Sequence, residues 1–494
     1  MQGIFHEKTV QRTVFLLIAC CMLPILLYLS PFALTENDAD ESAEELTASA
    51  QMTLSSTQKL SDITDNKIST KITISEPTEL AIFSDKGVAG VYLIWDQPPG
   101  KWQILAGDRT IECGLYDFVH EYIEIGDEYR SITLHLPEGA VLCDIRLFGK
   151  GILPDDIQVW QPPYEKADML LLPTHADDEH LFFGGTMPYY GGELGYRVQV
   201  VYLTNHSLPS SLYWHDTRRI HELLNGLWTV GIVAYPVISD FPDLQSLASD
   251  YRNPQELAKA LAQAKNQYNF DEWVEFQVEN IRRFKPYVIL GHDVNGEYGH
   301  GAHMLNTESL MKALTISADP EQYPESAEKY GVWDVPKTYL HLWHENTVSM
   351  NWDIPLENFG GKTAFQMAEV GYKCHISQHI YNLAVGRSGV SDCRAFGLYR
   401  STVGADVTGG DFFENIDFSE YETEPVTDEV TTSSPDDTNE MPSSTTSKES
   451  RNTTKTVIVT DRIFDAEIMI AYIFAIVFVL ALVGIAIYAI LIRR

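Results

Sequence analysis

Positive charge is what this sequence has least of: 35 Lys and Arg stand against 69 Asp and Glu in 494 residues, a formal net charge of −34. A partner with a phosphate backbone needs a basic face to neutralise it, so nucleic acid is excluded. The deficit is uneven, because residues 401–447 contain no Lys or Arg while Asp and Glu recur there, and much of the charge belongs to a tail. Cysteine is scarce too. Of six, Cys20 and Cys21 lie in an apolar stretch, which leaves Cys113, Cys143, Cys374 and Cys393, none at metal-ligand spacing. Cys113 with Cys143 and Cys374 with Cys393 are even pairs for two disulfides in an oxidising compartment, with isolated buried thiols as the alternative. No internal repeat is evident.

Long apolar runs are present, and there are two of them. Residues 13–34 follow Lys8 and Arg12, and residues 468–492 precede Arg493 and Arg494. Each is long enough to cross a bilayer. Both basic flanks lie away from the middle of the chain, so the positive-inside rule puts both ends in the cytoplasm and the body outside. The expectation is a cell-membrane protein with extracytoplasmic folded domains and the membrane as a partner through its terminal helices. Residues 1–34 read equally as a signal peptide or an uncleaved anchor, and residues 465–494 as a transmembrane helix. Residues 35–69, rich in Asp, Glu, Ser and Thr, read as an acidic linker. Residues 417–464, with their Ser/Thr/Pro runs, read as an extended stalk.

The full chain is 45% hydrophobic, enough for two packed cores. Over residues 70–163 the apolar runs are of strand length and rich in β-branched and aromatic residues: 71–74, 91–95, 132–136 and 144–148. Asp85-Lys86-Gly87 and Pro98-Pro99-Gly100 punctuate them as turns, the pattern of a small all-β, jelly-roll-like sandwich. Trp95, Trp102 and Trp160 are candidates to stack on a sugar, although tryptophan in a small sandwich is more often core.

From residue 164 to 416 the texture alternates. Apolar runs at 169–172, 197–203, 232–238 and 287–290 are separated by helix-length stretches, as near 215–229 and 273–284, the signature of a Rossmann-like parallel sheet. In such sheets ligands bind beyond the carboxyl ends of the strands. Pro173-Thr174-His175-Ala176-Asp177-Asp178-Glu179 follows the first run at once, and Gly291 to His303 follows the last. His175, Asp178 and His303 meet the three-ligand count of a catalytic zinc, with another divalent metal as the alternative. Asp177, adjacent but directed differently, is then free to take a proton from an attacking water, and His300 to assist the tetrahedral intermediate. Either cluster alone is as well explained by loop and cap residues, and Glu179 reads as a helix-start residue. Two clusters at two strand ends argue for chemistry.

The string from Pro173 to Gly185 resembles the His-Pro-Asp-Asp-Glu signature of PIG-L/LmbE deacetylases, with Ala176 in place of the usual Pro. Arg219-Ile220-His221-Glu222 is similar to that family's Arg-x-x-Glu helix, and Tyr298-Gly299-His300-Gly301-Ala302-His303 to its Tyr-x-His-x-x-His element. His375-Ile376-Ser377-Gln378 and the segment 411–416 resemble its C-terminal motifs. The resemblance implies zinc on His175, Asp178 and His303, Asp177 as general base, His300 assisting the leaving amine, Tyr298 near the oxyanion, and Arg219 and Asp240 in contact with substrate. It implies hydrolysis of the N-acetyl group of a GlcNAc-containing glycan or glycolipid. Two other readings stand beside it: a surface carbohydrate-binding protein with an inactive deacetylase-like domain, and a metal-dependent hydrolase of another amide.

Overall fold

The computed structural model describes residues 42–208 and 217–420, and both long apolar runs, His215 and most of the expected stalk lie outside them. No helix among the described residues is long and apolar enough to cross a membrane.

Seven antiparallel strands come first: β1 (Gln51–Leu54), β2 (Ile72–Thr73), β3 (Thr78–Trp95), β4 (Trp102–Ala106), β5 (Arg109–Cys113), β6 (His120–Leu136) and β7 (Val141–Phe148). All seven belong to one sheet, in the order β2-β7-β3-β6-β4-β5 with β1 also on β3. The long strands β3 and β6 run through both halves of it, and their register shifts between Phe83 and Val88. Both halves send apolar side chains into a single core that includes Leu80, Val91, Trp95, Ile104, Leu134 and Leu147. Asp85-Lys86-Gly87, expected as a turn, is instead an irregular stretch within β3. Gly87, at φ +81°, lets the strand bulge where the sheet passes from one half to the other.

Three other expectations are corrected here. Residues 42–69 are packed, not a free linker: β1 pairs with β3, and Leu46 and Ile63 are buried. Their few apolar residues are spaced too sparsely to show periodicity, yet Leu46 and Ile63 enter the core and Met52, Leu54 and Leu60 pack against it. Trp95, Trp102 and Trp160 are all buried and so are not sugar platforms. The four described cysteines are free thiols. Cys113 on β5 and Cys143 on β7 are separated by three strands of the sheet.

The second sheet has the order β10-β9-β8-β11-β12-β14-β13, built from β8 (Met169–Leu171), β9 (Val198–Tyr202), β10 (Val237–Ile238), β11 (Val288–Gly291), β12 (Lys337–His341), β13 (Thr347–Ser349) and β14 (Ala395–Ser401). The first five are parallel neighbours and the last two antiparallel. β8 and β9 are buried at every position, as strands covered on both faces must be. Among the described residues, seven α-helices accompany the sheet: α1 (Asp178–Leu181), α2 (Arg218–Thr229), α3 (Pro254–Gln267), α4 (Phe270–Phe284), α5 (Gly301–Ile316), α6 (Pro324–Tyr330) and α7 (Ala364–Tyr372). Helix α4 shows how they are set: the Asn269 side chain caps its start, and Trp273, Val274, Val278 and Ile281 form one buried stripe. The fold ends later than residue 416, since Phe418 packs on Tyr196, Tyr287 and Phe413.

The chain order reverses between β8 and its neighbour β11, with β9 and β10 on one side and β12 on the other. That crevice is the topological switch point, where such sheets bind their ligands.

Candidate active site

Both strands at the switch point end in histidine and carboxylate. The segment after β8 is pinned by Asn306 of α5, whose amide donates to the Leu172 carbonyl and the Thr174 hydroxyl, both at 3.0 Å. The segment after β11 is a tight turn. Gly296 has φ +66°, and a Cβ there would come within 2.3 Å of the His300 carbonyl oxygen, so only glycine fits. This turn delivers His300 and His303 to the start of α5.

The two segments bring three ligand atoms together. His175 Nδ1 lies 3.0 Å from His303 Nε2 and 3.2 Å from Asp178 Oδ2, and His303 Nε2 lies 3.2 Å from the same oxygen. Bonds of about 2.0–2.1 Å at tetrahedral angles place ligand atoms about 3.3–3.4 Å apart, so this triangle is close to the size of one face of a zinc site. The rings are oriented for it as well. His303 Nδ1 donates to Glu297 Oε2 at 2.7 Å, which leaves Nε2 as the lone-pair nitrogen. On the far side of His175, Nε2 lies 3.3 Å from Asp243 Oδ1.

The charges in the triangle are strongly coupled. Burial raises the Asp178 pKa, but His303 and His175 outweigh it and hold the group well below the usual carboxylate range. Burial lowers the His303 pKa, yet Asp178 and Glu297 push it up to about 10. A cation belongs at this point, and the donor set of two imidazoles and one carboxylate fits a divalent metal.

Asp177 is placed apart from the triangle. Its backbone sits at φ +123°, a region that a non-glycine residue enters at a cost of about 1–3 kcal/mol unless its surroundings enforce it. Two contacts do so. Its N–H donates to Glu179 Oε2 at 2.8 Å, and Arg219 donates to the Ala176 carbonyl while its guanidinium lies 3.5 Å from Asp177 Oδ1. Burial pushes the Asp177 carboxyl up to about 7, against the pull of Arg219. A base that titrates there is matched to work near neutral pH.

His300 stands against the triangle, its ring centroid 4.6 Å from that of His175 and 4.8 Å from that of His303, with Tyr298 stacked behind it at 5.7 Å. Its Nδ1 is buried with no hydrogen-bond partner among the described residues. Burial and the two neighbouring imidazoles hold its pKa well below that of free histidine. Arg219 anchors the loop by the bonds just given. Asp240 is exposed and enters none of the cluster's contacts. The acidic residue of that segment that reaches the site is Asp243, whose Oδ2 lies 3.2 Å from His206 Nδ1.

Several functional residues carry no sequence signal of their own. Glu297 is a hub: beside His303 it takes His292 Nδ1 and His341 Nδ1, each at 3.0 Å, and the Asp293 N–H at 3.0 Å. Its nearest sequence clue is its position between Gly296 and Tyr298. Glu179 is not an ordinary helix-start residue, because it is fully buried and its second oxygen lies 2.9 Å from His375 Nε2 and 3.4 Å from His180 Nε2. His180, His206, His292 and His341 read as ordinary histidines in sequence, and all four are bound into this network.

No family model matches the chain. Among curated proteins, 264 residues are 27% identical to 1D-myo-inositol 2-acetamido-2-deoxy-alpha-D-glucopyranoside deacetylase 2 of Saccharopolyspora erythraea, over 50% of this chain and 87% of that protein. A second deacetylase of the same name, deacetylase 1 of Catenulispora acidiphila, is 27% identical over 199 residues, 38% of this chain and 59% of the relative, less than two thirds of its length. Among solved structures, N,N'-diacetylchitobiose deacetylase from Pyrococcus horikoshii matches 44% of this chain and 73% of its own, at 16% identity and a TM-score of 0.30. The sequence relatives carry the likeness: this chain is similar to deacetylases of the PIG-L/LmbE type.

Proposed function

We propose that this protein is a zinc-dependent N-deacetylase that removes the acetyl group from a GlcNAc-type glycan or glycolipid at the outer face of the cell membrane. The observation that carries the reading is the triangle of His175 Nδ1, Asp178 Oδ2 and His303 Nε2, with sides of 3.0–3.2 Å, beside a separately held Asp177. The two relatives named as deacetylases of a 2-acetamido-2-deoxy-glucopyranoside support the substrate class. The location is supported by the basic flanks of the two long apolar runs.

A zinc ion on these three ligands supplies a Lewis acid for the amide carbonyl and makes water a nucleophile at neutral pH. The chain's own residues do the rest. Asp177 takes the proton of the attacking water at its carboxylate, and Arg219 and Glu179 keep that carboxylate in position. Tyr298 and His300 face the carbonyl oxygen as it gains charge, and the proton that Asp177 took from water passes to the departing amine nitrogen. Free amine and acetate leave.

Acetate release from GlcNAc-containing substrates, with and without a chelator, tests the proposal. Release that a chelator stops and zinc restores is the expected result. A metal-replete protein inert on every such amide overturns it.

A further inference from the structure

A second group of ligand atoms lies where helix α2 meets the antiparallel sheet, outside the active site. Asp96 follows the end of β3, Cys143 is on β7 and His221 is on α2. All three are buried, and one ligand atom from each lies within 4.8 Å of the others. They supply oxygen, sulfur and nitrogen from two different sheets' territories to one point.

The surroundings of His221 indicate what that point is for. Its Nδ1 lies 2.9 Å from His120 Nε2, and His120 Nδ1 lies 2.8 Å from the Tyr92 hydroxyl. The other nitrogen, His221 Nε2, is buried and has no hydrogen-bond partner among the described residues. Burial favours the neutral form of both rings, His120 well below the usual histidine value and His221 at about 4. If His221 donates its single proton to His120, a bare lone pair faces Asp96 and Cys143. If it accepts from His120 instead, an orphan N–H faces them, an arrangement protein interiors avoid. A histidine with one nitrogen held by an outer partner and the other free in a buried cluster is how metal-binding imidazoles are presented.

The other two donors are prepared as well. Asp96 Oδ1 accepts from the Lys71 ammonium at 2.8 Å and the Thr217 hydroxyl at 2.6 Å, so both bonds fall on one oxygen and orient the carboxylate. Cys143 is a free thiol. Burial pushes the Cys143 thiol up to about 12, so its charge would appear only on metal binding; carboxylate and the thiolate so formed together would outweigh the single positive charge of Lys71.

We propose that Asp96, Cys143 and His221 form a second, structural zinc site that clamps the antiparallel sheet to helix α2. Mixed nitrogen, oxygen and sulfur ligands suit zinc, and binding takes the proton off the Cys143 thiol and releases it to solvent. The clamp bears on the active site through one helix. Arg219, two residues before His221, bonds the Ala176 carbonyl, and Glu222, one residue after it, accepts the Ser377 N–H at 2.9 Å.

The purified full-length chain, loaded with zinc alone and dialysed, is expected to hold two metal equivalents by elemental analysis. Cys143→Ser and His303→Gln should each lower the count to one, and the double variant to none. Cobalt loading separates the sites spectroscopically, because the active-site ligands contain no sulfur. A thiolate-to-cobalt charge-transfer band is expected in wild type and in His303→Gln, and its loss in Cys143→Ser. A single equivalent that His303→Gln abolishes, a band that persists in Cys143→Ser, or no band in cobalt-loaded wild type overturns the proposal. If Cys143→Ser does not fold, the wild-type cobalt spectrum decides, whatever the deacetylase assays show.

Discussion

The segment after β8 and the segment after β11 both feed the same cluster, yet they are held in opposite ways. The first is strained and depends on distant help: Arg219 from α2, Asp243 from the loop beyond β10, and Asn306 from α5. The second carries its own support, because Glu297 sits in the same turn as the His303 it orients and the His292 beside it. The difference teaches where each kind of precision comes from. On the proposed roles, Asp177 would be set by a backbone conformation that others enforce and His303 by a carboxylate of its own turn, whereas His175, in the first segment, takes its carboxylate from Asp243.

Substitutions sharpen that contrast. The largest effect is expected for Asp178→Asn, which removes a ligand from the triangle: acetate release should fall to background, and elemental analysis should show one metal equivalent fewer than wild type. Glu297→Gln tests the self-supported half. Its loss of charge should weaken active-site zinc by roughly 10–100-fold in a chelator competition, with much of kcat retained once zinc saturates. Full loss of kcat at saturating zinc would break the claim that Glu297 acts through the metal ligand. Arg219→Lys tests the dependent half. A lysine cannot make the guanidinium's forked contacts, so kcat should fall by roughly tenfold or more, an outcome read from initial rates, while zinc affinity stays near wild type. Equal damage to both parameters would erase the distinction between the two segments.

The smallest expected effect lies away from the site, on β7. Burial pushes the Asp144 carboxyl up to about 6, above its value in the unfolded chain. The folded state therefore favours the protonated group, and its stability relative to the unfolded chain declines as pH rises from about 4 to 6. Asp144→Asn should be stabilised relative to wild type above pH 6, and the gain should shrink on acidification. Urea melts across that range check the sign.

What was legible in the sequence follows the same division. The alternation of apolar runs from residue 164 onward reveals the parallel sheet because strands buried on both faces must be continuously apolar. His175, Asp177, Asp178, His300 and His303 stand out because they crowd directly after strands. Glu297 and Asp243 did not stand out, since an outer carboxylate is defined by which ring it faces and no spacing announces that. Asp240, three residues from Asp243, shows how little separates a surface acid from a buried one in a loop without periodicity. The packing of residues 42–69 was hidden for another reason: a segment that buries only Ala43, Leu46 and Ile63 of its apolar side chains looks polar throughout.

The central claim is that two adjacent aspartates hold different jobs, Asp178 on the metal and Asp177 on the proton. Metal content and acetate release measured together on Asp177→Asn test it most directly. The account predicts wild-type metal content with kcat lowered by roughly 10²–10⁴-fold. A variant that loses a metal equivalent, or one that keeps wild-type turnover, contradicts it.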